Sequence, residues 1–272
     1  MEFLPYDLNT EDIACCFHKS QVEFPRNYLY LFTSITAMNI LAIGAHPDDI
    51  ELGCGGLLIK AVRNGHSVYL YNITQGEKAG NPQQRKDELR STARYIRAKA
   101  LYIDRFPDTQ LSLTSDLINH IESCITLCKP DLVITHPMTD THHDHRVVAE
   151  ASIEAGRNVS NILSYEMPLT KGFDPHIYYD ISDTMDSKLE LLSLFQSQSH
   201  KMFLETKAIK GLAQYRALQS RLGSDVSYAE SFQIIKVALD GNFAFLNYAS
   251  RVDLKEPIAT HNSQAICECI YV

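Results

Sequence analysis

The chain has 272 residues, of which 45% are hydrophobic and 21% are charged, a balance typical of a globular protein with one sizeable core. The formal net charge of -8 and the pI near 5.7 argue against a nucleic-acid partner, because neutralising phosphates requires clustered lysine and arginine. No apolar stretch approaches the roughly 20 residues that span a bilayer, so we expect no membrane partner either.

The first 37 residues have a mixed composition. They lack the basic segment followed by an apolar stretch that is typical of a signal peptide. The cytoplasm is therefore the expected location. Residues 1–37 are predicted to form an amino-terminal extension, residues 38–240 the main domain and residues 241–272 a carboxy-terminal extension. The 7 cysteines are scattered without CxxC spacing, which indicates reduced thiols and no disulfides.

A regular alternation of apolar runs and helical segments begins at Met38. The run from Asn39 to Ala45 ends at a His-Pro pair, which predicts a buried strand. The alternation then predicts helices at 52–62, 83–97, 115–127 and 144–155, and strands at 67–73, 100–103 and 131–135. Beyond Arg157 the pattern is less regular, with extended pieces at 164–167 and 177–181 and helices at 186–195 and 200–222.

Strands that alternate with helices predict an α/β fold. We expect a Rossmann-like three-layer sandwich with a mainly parallel sheet, and a smaller C-terminal subregion over the site. In such sheets ligands bind in the crevice outside the carboxyl ends of the strands. The segments that follow the predicted strands should meet there, and they are His46, residues 74–76, Asp108 and residues 136–145.

Two of these segments present metal-binding residue types in a tight turn after an apolar strand. They are AHPDD at 45–49 and HHDH at 142–145. A catalytic zinc ion takes three protein ligands from histidine and carboxylate and leaves a fourth position for water. His46, Asp49 and His145 would supply such a set, so Zn2+ is the expected cofactor.

The chain resembles the LmbE-like, or PIG-L, superfamily of zinc-dependent N-acetylglucosamine de-N-acetylases. The resemblance rests on AHPDD at 45–49, ELGCGG at 51–56 and HHDHR at 142–146. It extends to TQGEKAGNPQQRKDE at 74–88, FPD at 106–108 and YAESF at 228–232, and so covers about residues 39–235. It implies a hydrolase that removes an N-acetyl group from a small-molecule amino sugar. It also implies a homo-oligomer, a state that family members often adopt.

The resemblance also implies the metal ligands and the base. The zinc-binding residues of the family map onto His46, Asp49 and His145, and its general base maps onto Asp48. This agrees with the chemistry of amide hydrolysis, since zinc lowers the pKa of its water to about 7 and Asp48 need accept only one proton.

By the same resemblance, His142 is the oxyanion stabiliser or general acid. Asp144 would orient the ring of His142 and raise its pKa. Arg85 and Asp108 correspond to family residues that contact sugar hydroxyls. Many members have HPDH where this chain has HHDH, so that either His142 or His143 could face the substrate.

Several residues of these segments also have a purely structural interpretation. Arg85 lies in a charged run that would suit a solvated helix face. His136 and Asp140 suit a turn or a helix cap and are left outside the predicted site. The glycines at 53–56 lack the phasing of a dinucleotide motif and are expected to permit close helix packing, with Cys54 as a small buried residue.

Two alternatives for the function stand beside the leading one. The first is an amidase of the same fold that acts on a different N-acyl small molecule. The second is a zinc-binding homologue without catalytic activity, although Asp48 and His142 argue against it because a pure binder would need neither. A nucleotide-dependent dehydrogenase is disfavoured by the missing glycine motif.

Overall fold

Seven strands form a single sheet within residues 37–238, the part of the chain that this computed structural model describes. The predicted extensions lie outside it, apart from Ala37. The strands are β1 (Asn39–Gly44), β2 (Ser67–Asn72), β3 (Ala100–Ile103), β4 (Leu132–Thr135), β5 (Asn161–Tyr165), β6 (Ile177–Asp180) and β7 (Ala229–Val237). Their order across the sheet is β3-β2-β1-β4-β5-β7-β6, and strands β1 to β5 are parallel.

Helices cover both faces of this sheet. In the described residues they are α1 (Asp49–Arg63), α2 (Pro82–Ile96), α3 (Ser115–Cys128), α4 (His143–Ala155), α5 (Met185–Ser193) and α6 (Thr206–Ser220). Helices α1, α2, α5 and α6 share one core cluster with the sheet, whereas α3 and α4 share the other. Ile40 and Leu41 belong to opposite clusters because successive side chains of a strand point to opposite faces. The predicted three-layer α/β sandwich is thereby confirmed.

The centre of the sheet contains the point where the strand order reverses. β1 lies between β2 and β4, so the chain runs from β1 to one edge of the sheet and returns beside β1. Such a reversal opens a crevice outside the carboxyl ends of the two central strands. β1 ends two residues before His46, and β4 ends immediately before His136. The predicted site residues therefore lie beside the crevice at the carboxyl ends of β1 and β4.

The C-terminal part of the domain extends the same sheet. The sequence pattern predicts no strand at 229–237, where β7 pairs antiparallel with both β5 and β6. Its last residues are only partly buried, and Ile234 is exposed, so the strand lacks a clear local signal. The loop at 167–169 and Lys201 reach the cavity described below, as expected for a C-terminal region over the site.

Helix α1 needs glycine at position 53 because another side chain occupies the adjacent space. A Cβ atom at Gly53 would lie 2.2 Å from Cδ2 of Tyr165. Tyr165 is fully buried and its hydroxyl donates to the Ile43 carbonyl, so the ring has no free space to move into. We expect Gly53→Ala to lower the free energy of unfolding by about 1–3 kcal/mol, as overpacking typically does.

Gly211 is the matched control for this substitution. It lies in α6 and is exposed, and no atom beyond its chain neighbours and its own helix backbone lies within 4 Å of a Cβ built there. Gly211→Ala should raise the free energy of unfolding by roughly 0.5–1 kcal/mol, because alanine is the better helix former. Denaturant unfolding of both variants measures the two effects, and a Gly53→Ala protein as stable as the wild type would contradict the close approach.

The described residues contain no helix that combines the length and apolar character needed to cross a membrane. Cys54, Cys124 and Cys128 are buried free thiols. The four other cysteines lie outside the described residues. Cys54 is the small buried residue in α1 that its sequence context predicts.

Candidate active site

The turn after β1 holds Asp48 in an unusual backbone conformation. Its φ of 98° lies in the left-handed region, which costs a non-glycine residue about 1–3 kcal/mol. Although Asp48 directly precedes α1, its side chain caps no backbone N–H of that helix. The carboxylate lines a cavity instead, and its Oδ2 atom is buried without a hydrogen-bond partner. The turn therefore leaves this carboxylate available for chemistry.

The predicted metal ligands meet in the lining of this cavity. His46 Nδ1 lies 3.3 Å from Asp49 Oδ2 and 3.3 Å from His145 Nε2. Asp49 Oδ1 lies 3.4 Å from the same His145 nitrogen. Ligand atoms about 2.0–2.1 Å from a tetrahedral zinc ion are separated from one another by about 3.3–3.4 Å. The chemistry and the spacing of these donors therefore fit zinc.

Carboxylates lie beside the opposite nitrogen of each histidine in this set. His46 Nε2 lies 3.1 Å from Asp108 Oδ1 and 3.2 Å from Asp144 Oδ2. His145 Nδ1 lies 3.3 Å from Asp140 Oδ2. Such partners fix the orientation of a ring and leave its other nitrogen for a metal ion. The arrangement selects His46 Nδ1 and His145 Nε2, the two nitrogens that face each other.

Asp144 does not orient His142, and this part of the sequence-based prediction is wrong. Its carboxylate contacts His46 and accepts the Thr109 N–H at 2.7 Å. His142 caps α4 instead, because its Nδ1 accepts the backbone N–H of Asp144 at 3.2 Å. Burial lowers the pKa of His142, and the charges of His145 and His46 lower it further, which outweighs the raising effect of Asp144.

The structure distinguishes the two neighbouring histidines of the HHDH segment. His142 lines the cavity, whereas His143 Nε2 lies 2.7 Å from the carbonyl oxygen of Leu111. Because Nδ1 of His142 accepts a hydrogen bond, its neutral ring carries the proton on Nε2. The side chain can therefore donate a hydrogen bond while it is uncharged.

His136 is not part of the site that the sequence predicts, but in the structure it contacts residues of that site. Its fully buried ring stacks on His145 with a centroid distance of 3.9 Å, and its Nε2 accepts the Ala45 N–H. Burial and the charge of His145 lower the pKa of His136 to about 4. A His-Pro pair directly after β4, like the pair after β1, is the sequence signal that could have identified this residue.

Other groups of residues in the described part of the chain could also hold a metal ion. They are His46 with His142 and His145, Asp49 with His136 and His145, and His46 with Asp108 and Asp144. His136 Nε2 already accepts the Ala45 N–H, which disfavours the second group. The first differs from the predicted set only in replacing the carboxylate of Asp49 with the cavity-facing ring of His142.

Arg85 and Asp108 both line the cavity, as expected for substrate contacts. Arg85 is only 1% exposed, so the solvated helix face considered above is wrong for this residue. Its Nη2 donates to the Pro47 carbonyl and lies 3.6 Å from Asp48 Oδ2, while Nε and Nη1 have no partner. The Asp108 carboxylate is shared between His46 and the backbone N–H of Lys78.

The cavity has a volume of about 430 Å³, and its lining is mixed in character. The predicted metal ligands, Asp48 and Arg85 contribute polar groups. Leu52, Met167, Pro168 and Leu169 contribute apolar ones, with Lys201 also in the lining. No pattern in the sequence identified residues 167–169 as part of this lining, because their loop is distant along the chain from the two histidine segments.

The Asp48 carboxyl group has a raised pKa. Burial raises its pKa, and the neighbouring charge of Asp49 raises it further, to about 6. A proton acceptor works best when its pKa lies near the working pH. The geometry therefore brings together residues that could hold a metal ion, a carboxylate with a raised pKa, and His142 and Arg85 in one cavity.

The sequence of the chain is similar to a family profile and to known proteins. A family profile described as PIG-L, GlcNAc-PI de-N-acetylase, matches residues 41–156. The uncharacterized deacetylase YaiS of Escherichia coli (strain K12) is 34% identical over 152 residues, which are 53% of this chain and 82% of that protein. The diacetylchitobiose deacetylase of Thermococcus kodakarensis is 30% identical over 188 residues, which are 58% of this chain and 69% of that protein.

A solved structure shares the fold. The N,N'-diacetylchitobiose deacetylase from Pyrococcus horikoshii matches with a TM-score of 0.65 and 21% identity, over 92% of this chain and 100% of that one. That deacetylase was solved in complex with its inhibitor MPG. At this level of identity the match establishes the α/β architecture alone.

Proposed function

The chain belongs to the PIG-L, or LmbE-like, family of N-acetylglucosamine-type deacetylases, and from this membership we propose a specific activity. We propose that it is a zinc-dependent hydrolase that removes the N-acetyl group from a small amino sugar of the N-acetylglucosamine type. The observation that carries the proposal is the close approach of the ligand atoms in the cavity lining. His46 Nδ1 and His145 Nε2 lie 3.3 Å apart, and they lie 3.3 Å from Oδ2 and 3.4 Å from Oδ1 of the Asp49 carboxylate, respectively.

His46 Nδ1, the Asp49 carboxylate and His145 Nε2 would hold the ion. Bound zinc supplies a Lewis acid for the amide carbonyl and lowers the pKa of water in its open position. Asp108 and Asp144 hold the ring of His46, and Asp140 holds that of His145, so both rings are oriented before the ion binds.

Asp48 accepts the proton of the attacking water. Its buried Oδ2 has no hydrogen-bond partner, and its raised pKa favours proton uptake near neutral pH. Arg85, with Nη2 at 3.6 Å, keeps the carboxylate from becoming too basic, since its positive charge lowers the pKa of Asp48. The protonated carboxyl group of Asp48 can then return its proton to the departing amine.

His142 stabilises the oxyanion with its Nε2–H. This group donates while the ring is neutral, so a lowered pKa of His142 suits an oxyanion donor better than a general acid. Arg85 lines the cavity and has two buried nitrogen atoms without a hydrogen-bond partner, and Asp108 adds a carboxylate to the same lining. We assign these two residues to the sugar hydroxyls.

The direct test is acetate release from N-acetylated amino sugars. The purified protein is incubated with N-acetylglucosamine, diacetylchitobiose and N-acetylglucosamine glycosides, with and without a chelator, and free acetate is measured. We expect release that the chelator abolishes and that added Zn2+ restores. A protein that binds zinc but releases acetate from none of these substrates would overturn the proposal.

Removal of His142 should slow turnover and leave zinc binding intact. The loss of one oxyanion donor typically costs about 100- to 1000-fold in rate, and we expect a kcat reduction of that order for His142→Ala. His143→Ala is the control, because His143 contacts the Leu111 carbonyl and not the cavity. Steady-state kinetics at equal zinc content separates the two variants, and equal activity of both would remove His142 from the mechanism.

A further inference from the structure

Helix α1, which begins with the proposed ligand Asp49, is interrupted in its second turn. Cys54 has φ −142° and ψ 18°, so the helix consists of two segments joined at this residue. An interruption leaves carbonyl groups before it and N–H groups after it without partners inside the helix. Because residues 52–58 are buried, these groups need partners from elsewhere in the protein.

One buried ion pair satisfies both sides of the interruption. Glu230 accepts the N–H of Gly56 at Oε1, at 2.8 Å, and the N–H of Leu57 at Oε2, at 2.7 Å. Lys188 Nζ donates to the Leu52 carbonyl at 2.7 Å and to Glu230 Oε1 at 2.7 Å. Lys188 is 4% exposed and Glu230 is 5% exposed.

The charges suit the helix ends that they contact. The Glu230 carboxylate lies at the amino end of the second segment, where the helix dipole favours an anion. The Lys188 ammonium lies at the carboxyl end of the first segment, where the dipole favours a cation. Each charge also neutralises the other, as a buried pair requires.

A short path of hydrogen bonds connects this pair to the site. The Leu52 carbonyl accepts from Lys188, while the Leu52 N–H donates to the Asp48 carbonyl at 2.9 Å. Asp49 lies between these residues on the same turn, and the Leu52 side chain lines the cavity. The first turn of α1 is thus held from one side by Lys188.

We propose that Lys188 and Glu230 are positioning residues, which fix the first turn of α1 so that Asp48 and Asp49 are correctly placed for metal binding and catalysis. The proposal rests on the proposed function. It gives a role to the glycines at 53–56, because their small size lets Tyr165, Ile181 and Glu230 pack against the helix. It also gives a role to the YAESF motif, which contains Glu230.

The test compares Lys188→Met with a matched control, Arg216→Met. Arg216 also forms a buried ion pair, with Glu166, and both residues are 8% exposed, but its hydrogen bonds go to Glu166 and Gln219. Loss of either pair should lower the melting temperature. Only Lys188→Met should also weaken zinc binding and lower kcat, each by about 10- to 100-fold, as the loss of an outer partner of a metal site typically does.

Zinc affinity is measured by competition with a chelator, at a temperature where both variants are folded. Amide hydrogen exchange of residues 46–57 provides a readout that needs neither metal nor substrate, and it should be faster in Lys188→Met than in Arg216→Met. Glu230→Gln keeps the size of the side chain and should show the same losses, which covers the case that Lys188→Met does not fold.

The two proposals can fail separately. If the wild type releases no acetate from any amino sugar, the proposed function is wrong, whereas zinc affinity and hydrogen exchange still test the positioning role. If Lys188→Met and Glu230→Gln match Arg216→Met in zinc affinity, kcat and local exchange, the pair contributes only stability and the inference is overturned.

Discussion

Asp48→Asn is expected to retain zinc and to lose activity by roughly 10²- to 10⁴-fold, the range that a positioned general base contributes. The amide of asparagine cannot accept the proton of the attacking water. Asparagine also tolerates a positive φ better than most residues, so the strained turn at φ 98° should persist. The substitution therefore removes the proton acceptor with little change to the backbone.

Rates of acetate release and zinc content, measured on the same preparation, test this expectation. Asp48→Ala should behave similarly, with retained zinc and lost turnover, because Asp48 is not one of the proposed ligands. If Asp48→Asn kept substantial activity at full zinc content, another group would have to be the base. If it lost zinc instead, Asp48 would have to be assigned to the ligand set.

His145→Ala is expected to lose the metal itself. His145 Nε2 lies 3.3 Å from His46 Nδ1 and 3.4 Å from Asp49 Oδ1, so its removal takes away one of the three proposed ligands. Loss of an outer partner typically weakens metal binding by about 10- to 100-fold, and loss of a ligand should exceed that range. Turnover should fall to the level of the chelator-treated wild type.

His143→Ala is the matched control, since it removes a second imidazole from the same turn of the same helix. Metal analysis after dialysis, followed by chelator competition, compares the two proteins. We expect the control to bind zinc like the wild type, because His143 lies against the Leu111 carbonyl. Zinc affinity of His145→Ala within tenfold of the control would exclude His145 from the ligand set.

The core of the fold was predictable from local pattern. Short apolar runs that alternate with helical segments identified strands β1 to β4 and helices α1 to α4, since burial on both faces of a parallel sheet imposes this pattern. β7 was missed because its stability comes from pairing with β5 and β6, far away in the sequence, and its outer residues are only partly buried.

The burial of Arg85 shows a similar limit. In the sequence this residue is surrounded by charged neighbours, which are typical of an exposed face. In the structure it is 1% exposed, because it lies on the buried face of α2 and its side chain contacts the Pro47 carbonyl and Asp48. Local composition reports the average environment of a helix and not the environment of each side chain.

The sequence by itself determined the α/β architecture, the strand ends that carry the site and the residue types in it. Hydrophobic periodicity and metal-binding residue types can both be recognised within short segments of the chain. Only the tertiary structure decided which carboxylate holds which histidine, as in the contact of Asp144 with His46, 98 residues away. It also decided that Glu230 closes the interruption in α1 across 174 residues. Such contacts depend on how distant segments pack, and no local pattern encodes that.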